Sequence, residues 1–313
     1  MIPVSVITGF LGSGKTTLLR AVLRDPAYAG SAVIVNEWGE IGLDHELLET
    51  SGETLLGLAN GCLCCAVRGD LARTLLDLAQ RREAGAVPPY ARVLIETSGL
   101  ADPGPILHTL LTDPAIAERH RVEAVVTVVD ALLGAQTLVR NPEAARQVAL
   151  SDRVLLSKTD LAPDTAEIEE GIRALNPGAP LLRAVQGAVA PDALFASAAR
   201  PDAVEDWLRL AAGPPRHSAG VETITLLREP PLPAAALPLF LEGLAEHAGE
   251  RLLRLKGLVR VAEAPECPAV IHGVRHVLHP VHWLERWPSA DRRTRLVLIG
   301  QGIPRWWPAR LLE

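Results

Sequence analysis

The chain has 313 residues, of which 48% are hydrophobic and 22% are charged. This composition excludes a disordered chain and allows one large domain or two unequal ones. The formal net charge of -6, without any basic run, argues against a nucleic-acid or anionic-membrane surface. No positive region precedes the apolar N-terminus, and no apolar run approaches the roughly 18 residues that span a bilayer. We therefore expect a cytoplasmic protein.

The first predicted strand leads into a glycine-rich turn. In PVSVITGFLGSGKTTLLRAVL, a β-branched apolar run is followed by a Gly-x-x-x-x-Gly-Lys-Thr motif and then by an amphipathic helical pattern. Backbone N–H groups of such a loop surround phosphates, a lysine reaches their terminal oxygens, and the threonine hydroxyl can bind Mg²⁺. The motif predicts a nucleoside triphosphate site formed by Gly9, Gly12, Ser13, Gly14, Lys15, Thr16 and Thr17.

Two more predicted strands end in polar loops. RVLIETSGLADP places Glu96 where a carboxylate can lie near Mg²⁺, and Gly99 where a backbone N–H can meet the γ-phosphate. SAVIVNEWGEIGLDHELL carries Glu37 and Asp44 in a loop that can order around the same phosphate. For any single one of these carboxylates, a solvated loop charge is an equally good interpretation. We expect the hydrolytic residues to be Lys15, Glu96, Gly99 and Asp44.

Three of the four cysteines crowd into NGCLCCAVRGD, as Cys62, Cys64 and Cys65. Three thiolates are soft donors that suit Zn²⁺, Cu⁺ or Co²⁺ and are poor ligands for Mg²⁺. Three protein ligands leave a fourth tetrahedral position open for ligand exchange, and Glu37 is a candidate extra ligand. Small buried hydrophobes in a turn, or a redox switch, are the alternatives. Cys267 has no cysteine nearby, and we interpret it as a buried or incidental thiol.

The nucleotide base is indicated by DRVLLSKTDLA, where an apolar run precedes Ser157, Lys158 and Asp160. A carboxylate at Asp160 can accept two hydrogen bonds from guanine, whereas adenine offers no such pair of donors. The methylene stem of Lys158 can cover the base. A helix-capping aspartate is the alternative for this motif alone. After a phosphate-binding loop, the motif favours GTP over ATP.

The order of apolar runs predicts the architecture. Six β-branched runs, mostly separated by helical segments, are typical of a doubly wound, mostly parallel α/β sheet. Shorter strands around one helix follow a Pro/Gly-rich stretch and predict a smaller α+β domain with an antiparallel sheet. We expect a P-loop nucleotide-binding domain over residues 1–212, a linker over 213–220 and the α+β domain over 221–313. The four histidines of VIHGVRHVLHPVHW have either a packing role or a role in a second metal site.

Five motifs, in this order, resemble those of the CobW-type GTPases, relatives of the GTPases that insert nickel into urease and hydrogenase: TGFLGSGKTTLL, VNEWGEIGLDHELL, NGCLCCAVRGDL, LIETSGLADP and SKTD. RLLRLKGLVRV and RTRLVLIGQGI resemble the smaller C-terminal domain of that family. Trp38 stands where phenylalanine is usual, and the chain lacks the long histidine-rich tract of some members. The resemblance implies that GTP and Mg²⁺ serve to load a transition metal, zinc or else cobalt or iron, into a client metalloprotein.

The sequence thus predicts a GTP-hydrolysing metallochaperone in which nucleotide state changes metal affinity. We expect slow turnover because the sequence assigns neither a cis arginine finger nor a water-positioning glutamine, Arg68 being the arginine nearest the switch. Two alternatives remain open at this point. One is a phosphotransferase acting on a small acceptor. The other is a nucleotide-gated module that binds metal or a partner with negligible hydrolysis.

Overall fold

The computed structural model describes residues 1–28, 30–35, 55–57, 67–195, 201–211, 217–218 and 220–313. The chain divides into two compact units. The N-terminal unit comprises Met1–Gln147, Ser151–Ile168 and Leu181–Ala196, and the C-terminal unit comprises Val148–Leu150, Glu169–Pro180 and Ser197–Glu313. These units place residues 201–211 with the C-terminal part. The predicted domain boundaries at residues 212 and 221 stay a prediction.

Through residue 195, most strands of the described chain are followed by one or two helices. They are β1 (Ile2–Thr8), α1 (Lys15–Leu23), β2 (Ser31–Val35), β3 (Leu55–Gly57), α2 (Val67–Glu83), β4 (Arg92–Glu96), α3 (Gly104–Thr112), α4 (Pro114–Ala117), β5 (His120–Asp130), α5 (Gly134–Arg140), α6 (Pro142–Leu150), β6 (Arg153–Ser157), α7 (Ala166–Leu175), β7 (Leu181–Arg183) and α8 (Pro191–Phe195). Such alternation allows strands to pair in parallel, because each helix carries the chain back to the same edge of the sheet.

The strands form one sheet in the order β3-β2-β4-β1-β5-β6-β7, and every pair in it is parallel. Strand β6 is buried along its whole length, as its unbroken apolar run predicts for a sheet covered on both faces. The predicted doubly wound parallel sheet is confirmed.

The register of this sheet brings distant motifs to one edge. Ile7 of β1 pairs with Glu96 of β4, and Thr8 of β1 pairs with Thr127 of β5. Asp130 of β5 pairs with Ser157 of β6. The loops after β1, β4, β5 and β6 therefore leave from neighbouring strands at the carboxyl edge, where sheets of this kind bind ligands.

The remaining elements are α9 (Pro201–Ala211), β8 (His217–Ser218), β9 (Val221–Arg228), α10 (Ala236–Ala248), β10 (Leu252–Val261), β11 (Ala264–Val274), β12 (Val277–Leu278), β13 (His282–Trp283), β14 (Thr294–Gly300) and α11 (Trp306–Leu312), with a 3₁₀ turn at Gly249–Arg251. Their strands pair antiparallel in the order β12-β11-β10-β14-β9-β8, and β13 also pairs with β11. The predicted α+β domain with an antiparallel sheet is confirmed.

A hydrophobic core lies between this sheet and helices α10 and α11, with Phe240, Leu244 and Leu298 among its most buried members. Helix α9 contacts β14 and β10 through polar groups. Arg295 makes a bidentate ion pair with Glu205, at 2.9 and 2.6 Å, and Lys256 lies 5.4 Å from the centre of the Trp207 ring. Within the described ranges, no helix combines the length and apolar character that a membrane crossing requires.

Candidate nucleotide site

The loop between β1 and α1 has the backbone of a phosphate cradle. Gly9, Gly12 and Gly14 have φ values of 145°, 73° and 98°, in the region that favours glycine. A Cβ on Gly9 would collide with the carbonyl oxygen of Val128. Gly14 is the N-cap of α1, so the loop ends at the amino terminus of a nine-residue helix, where unpaired N–H groups attract anions.

Lys15 and Thr16 start α1 and face two different partners. The Nζ of Lys15, which is buried, donates to the carbonyl oxygen of Phe10 at 3.2 Å. The Oγ1 of Thr16 donates to Oε1 of Glu96 at 2.7 Å, and the Glu96 side chain is buried at the end of β4. A hydroxyl and a carboxylate beside a phosphate loop are hard oxygen donors of the kind that Mg²⁺ takes. These two residues therefore fit the predicted Mg²⁺.

The turn after β4 lies directly on the phosphate loop. Thr97 donates from its backbone N–H to the carbonyl of Ile7 at 2.9 Å, and its hydroxyl donates to that of Thr8 at 2.8 Å. A Cβ on Gly99 would stand 2.6–2.8 Å from the side chain and backbone of Leu11. Only a residue without a side chain fits so close to the loop, which brings the Gly99 backbone next to the cradle.

The SKTD segment is tied to the same loop. Ser157 donates from its hydroxyl to the carbonyl of Ser13 at 2.6 Å. The Nζ of Lys158 donates to the carbonyl of Gly12 at 2.9 Å, and the Lys158 backbone has a φ of 55°. Asp160 follows in the turn after β6 and is exposed, so its carboxylate is open to a ligand. The structure thus joins the predicted base-binding segment to the predicted phosphate-binding loop.

Asp130 is a site residue that the sequence analysis missed. Its Oδ2 accepts from the Nζ of Lys158 at 2.6 Å, while its Oδ1 accepts from the backbone N–H groups of Leu132 and Leu133 at 2.7 and 3.2 Å. Asp130 therefore holds Lys158 in place from the neighbouring strand. Its position at the end of the apolar run AVVTVVD was an available signal, since that run ends at the same edge as the motifs.

Two further contacts carried no signal in the sequence. Gln147 in α6 donates to the carbonyls of Gly99 and Ala101. The turn after β7 has left-handed φ values at Gln186 and Gly187, and a Cβ on Gly187 would lie 2.9 Å from the carbonyl oxygen of Thr17. Both depend on the tertiary fold rather than on local spacing.

The predicted nucleotide-site residues that the structure describes lie at this one edge. They are Gly9, Gly12, Ser13, Gly14, Lys15, Thr16, Thr17, Glu96, Gly99, Ser157, Lys158 and Asp160. Five other predicted residues lie outside the described residues: Glu37, Asp44, Cys62, Cys64 and Cys65.

Among the described residues, no three His, Cys, Asp or Glu side chains are grouped so that they could hold a metal ion. His272 and His279 are neighbours, with ring centres 6.2 Å apart. The Sγ of Cys267 is 3.7 Å from the carbonyl oxygen of Glu285.

A phosphate loop, a threonine hydrogen-bonded to a buried glutamate and a parallel sheet together define a P-loop nucleotide-binding protein. Residues 3–183 match the sequence family described as CobW/HypB/UreG, nucleotide-binding domain, and residues 221–313 match the one described as Cobalamin synthesis protein cobW C-terminal domain. The chain belongs to the CobW/HypB/UreG family.

Named relatives span most of the chain. The zinc chaperone YjiA of Escherichia coli is 30% identical over 97% of this chain and 95% of its own length. The zinc chaperone CobW of Pseudomonas aeruginosa is 31% identical over 96% and 88%, respectively. The crystal structure of Zn(II)-bound YjiA GTPase from E. coli superposes with a TM-score of 0.76 at 24% identity, covering 100% of this chain and 99% of that one. This last likeness shows that the two chains share a fold.

Proposed function

We propose that this protein is a Mg²⁺-dependent GTP hydrolase that delivers zinc to a client metalloprotein, with its metal affinity coupled to nucleotide state. The observation that carries the proposal is the set of hydrogen bonds that joins the phosphate loop to Glu96, Ser157 and Lys158. We also propose that the protein works in the cytoplasm, where it loads zinc into its client. The two relatives named as zinc chaperones favour zinc over cobalt or iron as the cargo.

Binding begins with the phosphates. The loop glycines and the start of α1 supply N–H donors, and Lys15 adds a positive charge that balances the phosphate oxygens. Thr16 and Glu96 would hold Mg²⁺, which would neutralise charge on the phosphate oxygens. Lys158 lays its stem along the guanine while its ammonium group holds Gly12 and Asp130, and Asp160 accepts from the guanine N–H groups.

Hydrolysis is sensed at Gly99. Its backbone N–H donates to the γ-phosphate in our proposal, and the turn of Gly99 loses that partner when the phosphate leaves. Because Gly99 lies in close contact with Leu11, a movement of the Gly99 turn also displaces the phosphate loop. Asp44 is proposed to help order the other loop around the same phosphate.

The cargo site is proposed to consist of Cys62, Cys64 and Cys65, with Glu37 as an extra ligand. These residues fall in the stretch of chain that connects β2 to β4, which are neighbours in the sheet. Three soft thiolates hold zinc, and a client ligand can displace the Glu37 carboxylate at the fourth tetrahedral position before zinc leaves the thiolates. Because the same stretch leads into the strand that ends at Glu96, nucleotide state and zinc affinity are linked through one segment.

The test compares three full-length variants for phosphate release and for zinc affinity, measured by competition with a chromophoric chelator. Lys15→Ala should abolish GTP turnover and keep nucleotide-free zinc binding. Replacing Cys62, Cys64 and Cys65 together by Ser should weaken zinc binding at least about 100-fold. Cys267→Ser is the matched control and should change neither quantity.

Two results would overturn this proposal in favour of another class. A product other than free phosphate, formed equally well without the three cysteines, indicates a phosphotransferase. Nucleotide-dependent zinc affinity without measurable turnover indicates a binding module.

A further inference from the structure

Helix α6 carries a glutamine that no solvent reaches. Gln147 is fully buried, and its Nε2 donates to the carbonyl of Gly99 at 3.2 Å and to that of Ala101 at 2.9 Å. These partners lie 48 and 46 residues earlier in the chain, in the turn that follows β4. One side-chain amide thus holds two carbonyls of the turn that abuts the phosphate loop.

Gln147 is itself held by the central sheet. The hydroxyl of Thr127, in β5, donates to the backbone carbonyl of Gln147 at 2.8 Å. The glutamine is therefore a rigid link from the sheet to the Gly99 turn. On its other side, that turn is limited by Leu11, which leaves no room for a Cβ on Gly99.

The chemistry of the link calls for an amide. Buried backbone carbonyls need donors, and a carboxamide supplies two N–H groups without a charge. A glutamate of the same shape carries no donor when ionised, and an apolar side chain leaves both carbonyls without this partner. Removing the amide should therefore loosen the turn and leave the phosphate loop itself in place.

We propose that Gln147 is a positioning residue for GTP hydrolysis. It fixes the turn from Ser98 to Ala101 so that the Gly99 N–H is presented to the γ-phosphate, and it does so without touching the nucleotide. This inference rests on the proposed role of Gly99. Because GDP has no γ-phosphate, the loss of Gln147 should weaken GTP interactions and spare those of GDP.

Asn176 provides the matched control. It is also fully buried, and its Nδ2 donates to two backbone carbonyls, those of Val148 at 2.9 Å and Ala149 at 3.3 Å. A merely structural buried amide should behave as Asn176 does. Its loss should lower thermal stability and leave the discrimination between GTP and GDP unchanged.

The experiment compares Gln147→Met and Asn176→Leu with the wild-type full chain. Methionine keeps the length of the side chain, and Gln147 borders a cavity of about 240 Å³ that Thr127, Ala144 and the phosphate-loop residues from Phe10 to Ser13 also line, which eases repacking. For Gln147→Met we expect kcat to fall about 10- to 100-fold and the Kd of a non-hydrolysable GTP analogue to rise about tenfold. The Kd of GDP should stay within about twofold. For Asn176→Leu we expect a lower Tm with the wild-type ratio of the two Kd values.

Wild-type kcat in a folded Gln147→Met protein overturns the inference, as does an equal loss of affinity for GDP and the GTP analogue. If the methionine variant does not fold, Gln147→Ala is measured in the same way, because the adjoining cavity lets water replace the side chain. Lys15→Ala separates the two levels of the argument. If the Lys15→Ala variant still hydrolyses GTP, the proposed function is overturned. If Lys15→Ala abolishes hydrolysis while Gln147→Met keeps full activity, only the role of Gln147 is overturned.

Discussion

The hydroxyl of Thr16 donates a 2.7 Å hydrogen bond to the buried carboxylate of Glu96. These residues are 80 positions apart, and the parallel pairing of β1 with β4 brings them together. One comes from the first turn of α1 and the other from the last position of β4. Their oxygens thus meet at the place where the phosphate loop enters its helix.

Glu96→Gln should lower GTP turnover about 100-fold or more, because an amide is a far weaker ligand for Mg²⁺ than a carboxylate. The Mg²⁺ concentration that gives half-maximal turnover should rise in the same variant. Phosphate release measured across a Mg²⁺ titration checks both effects. Glu123→Gln is the control, since Glu123 also accepts from a hydroxyl, that of Ser5 at 3.3 Å, on the neighbouring strand pair. Equal losses in both variants would show that a general effect on the sheet is responsible.

Asp160→Ala should remove the preference for guanine, because the carboxylate is the proposed acceptor for two guanine N–H groups. We expect the Kd of GTP to rise about 100-fold and the Kd of ATP to stay nearly constant. Competition of the two nucleotides against a fluorescent GDP derivative measures this preference. Asp164→Ala serves as the control, because Asp164 accepts from the N–H of Ala166 at 2.9 Å, just before α7. GTP that still outcompetes ATP in Asp160→Ala would refute the base assignment.

Gly9→Ala should be far more harmful than Gly12→Ala. Both glycines have positive φ values, but a Cβ on Gly9 meets the Val128 carbonyl, whereas a Cβ on Gly12 meets no atom within 4 Å. Gly12→Ala should cost about 1 kcal/mol of unfolding free energy from backbone strain alone. Gly9→Ala should cost about 3 kcal/mol or more, because strand β5 or the loop must also move. Urea unfolding of the two variants measures the difference, and equal costs would contradict the observed packing.

The motif residues of the site were predictable because each belongs to a short pattern in which one strand, one loop and one helix start follow each other. Lys15, Glu96 and Lys158 were predicted in this way, and the parallel sheet brings them to one edge. Asp130 was predictable in principle, as the polar end of another buried strand. Gln147 was not, because a polar residue in an amphipathic helix normally faces solvent.

The fold class was predictable from the same runs. Apolar β-branched segments separated by helices permit few arrangements besides a parallel sheet, and β6, with its flanking SKTD, was found complete. The contacts between elements were not predictable. The sequence does not reveal that Arg295 pairs with Glu205 across 90 residues, since neither lies in a recognisable motif.

Stability should fall as the pH drops through the ordinary histidine range, partly because of His120. Burial lowers the pKa of His120 from its ordinary value of 6.5, so the imidazole stays neutral in the folded protein. The unfolded chain then binds more protons below pH 6.5, and the contribution of this group, complete above that pH, is lost below it.

Between about pH 7.5 and 5.5, Tm should therefore fall less in His120→Leu than in the wild type. Differential scanning calorimetry at both pH values checks this prediction. His247→Gln, at an exposed position near the end of α10, should retain the wild-type difference. If Tm falls by the same amount in His120→Leu as in the wild type, His120 does not contribute to the pH dependence of stability.

The central claim is that nucleotide state controls zinc affinity, and it is tested most directly by titrating the reduced protein with Zn²⁺ and Co²⁺ in three states. These states are nucleotide-free, Mg-GDP and Mg with a non-hydrolysable GTP analogue. Thiolate charge-transfer absorption reports Co²⁺ at Cys62, Cys64 and Cys65. We predict affinities that differ at least tenfold between the GDP and GTP-analogue states, about 1.4 kcal/mol of coupling. Equal affinities in all three states, or binding without thiolate absorption, would contradict the claim.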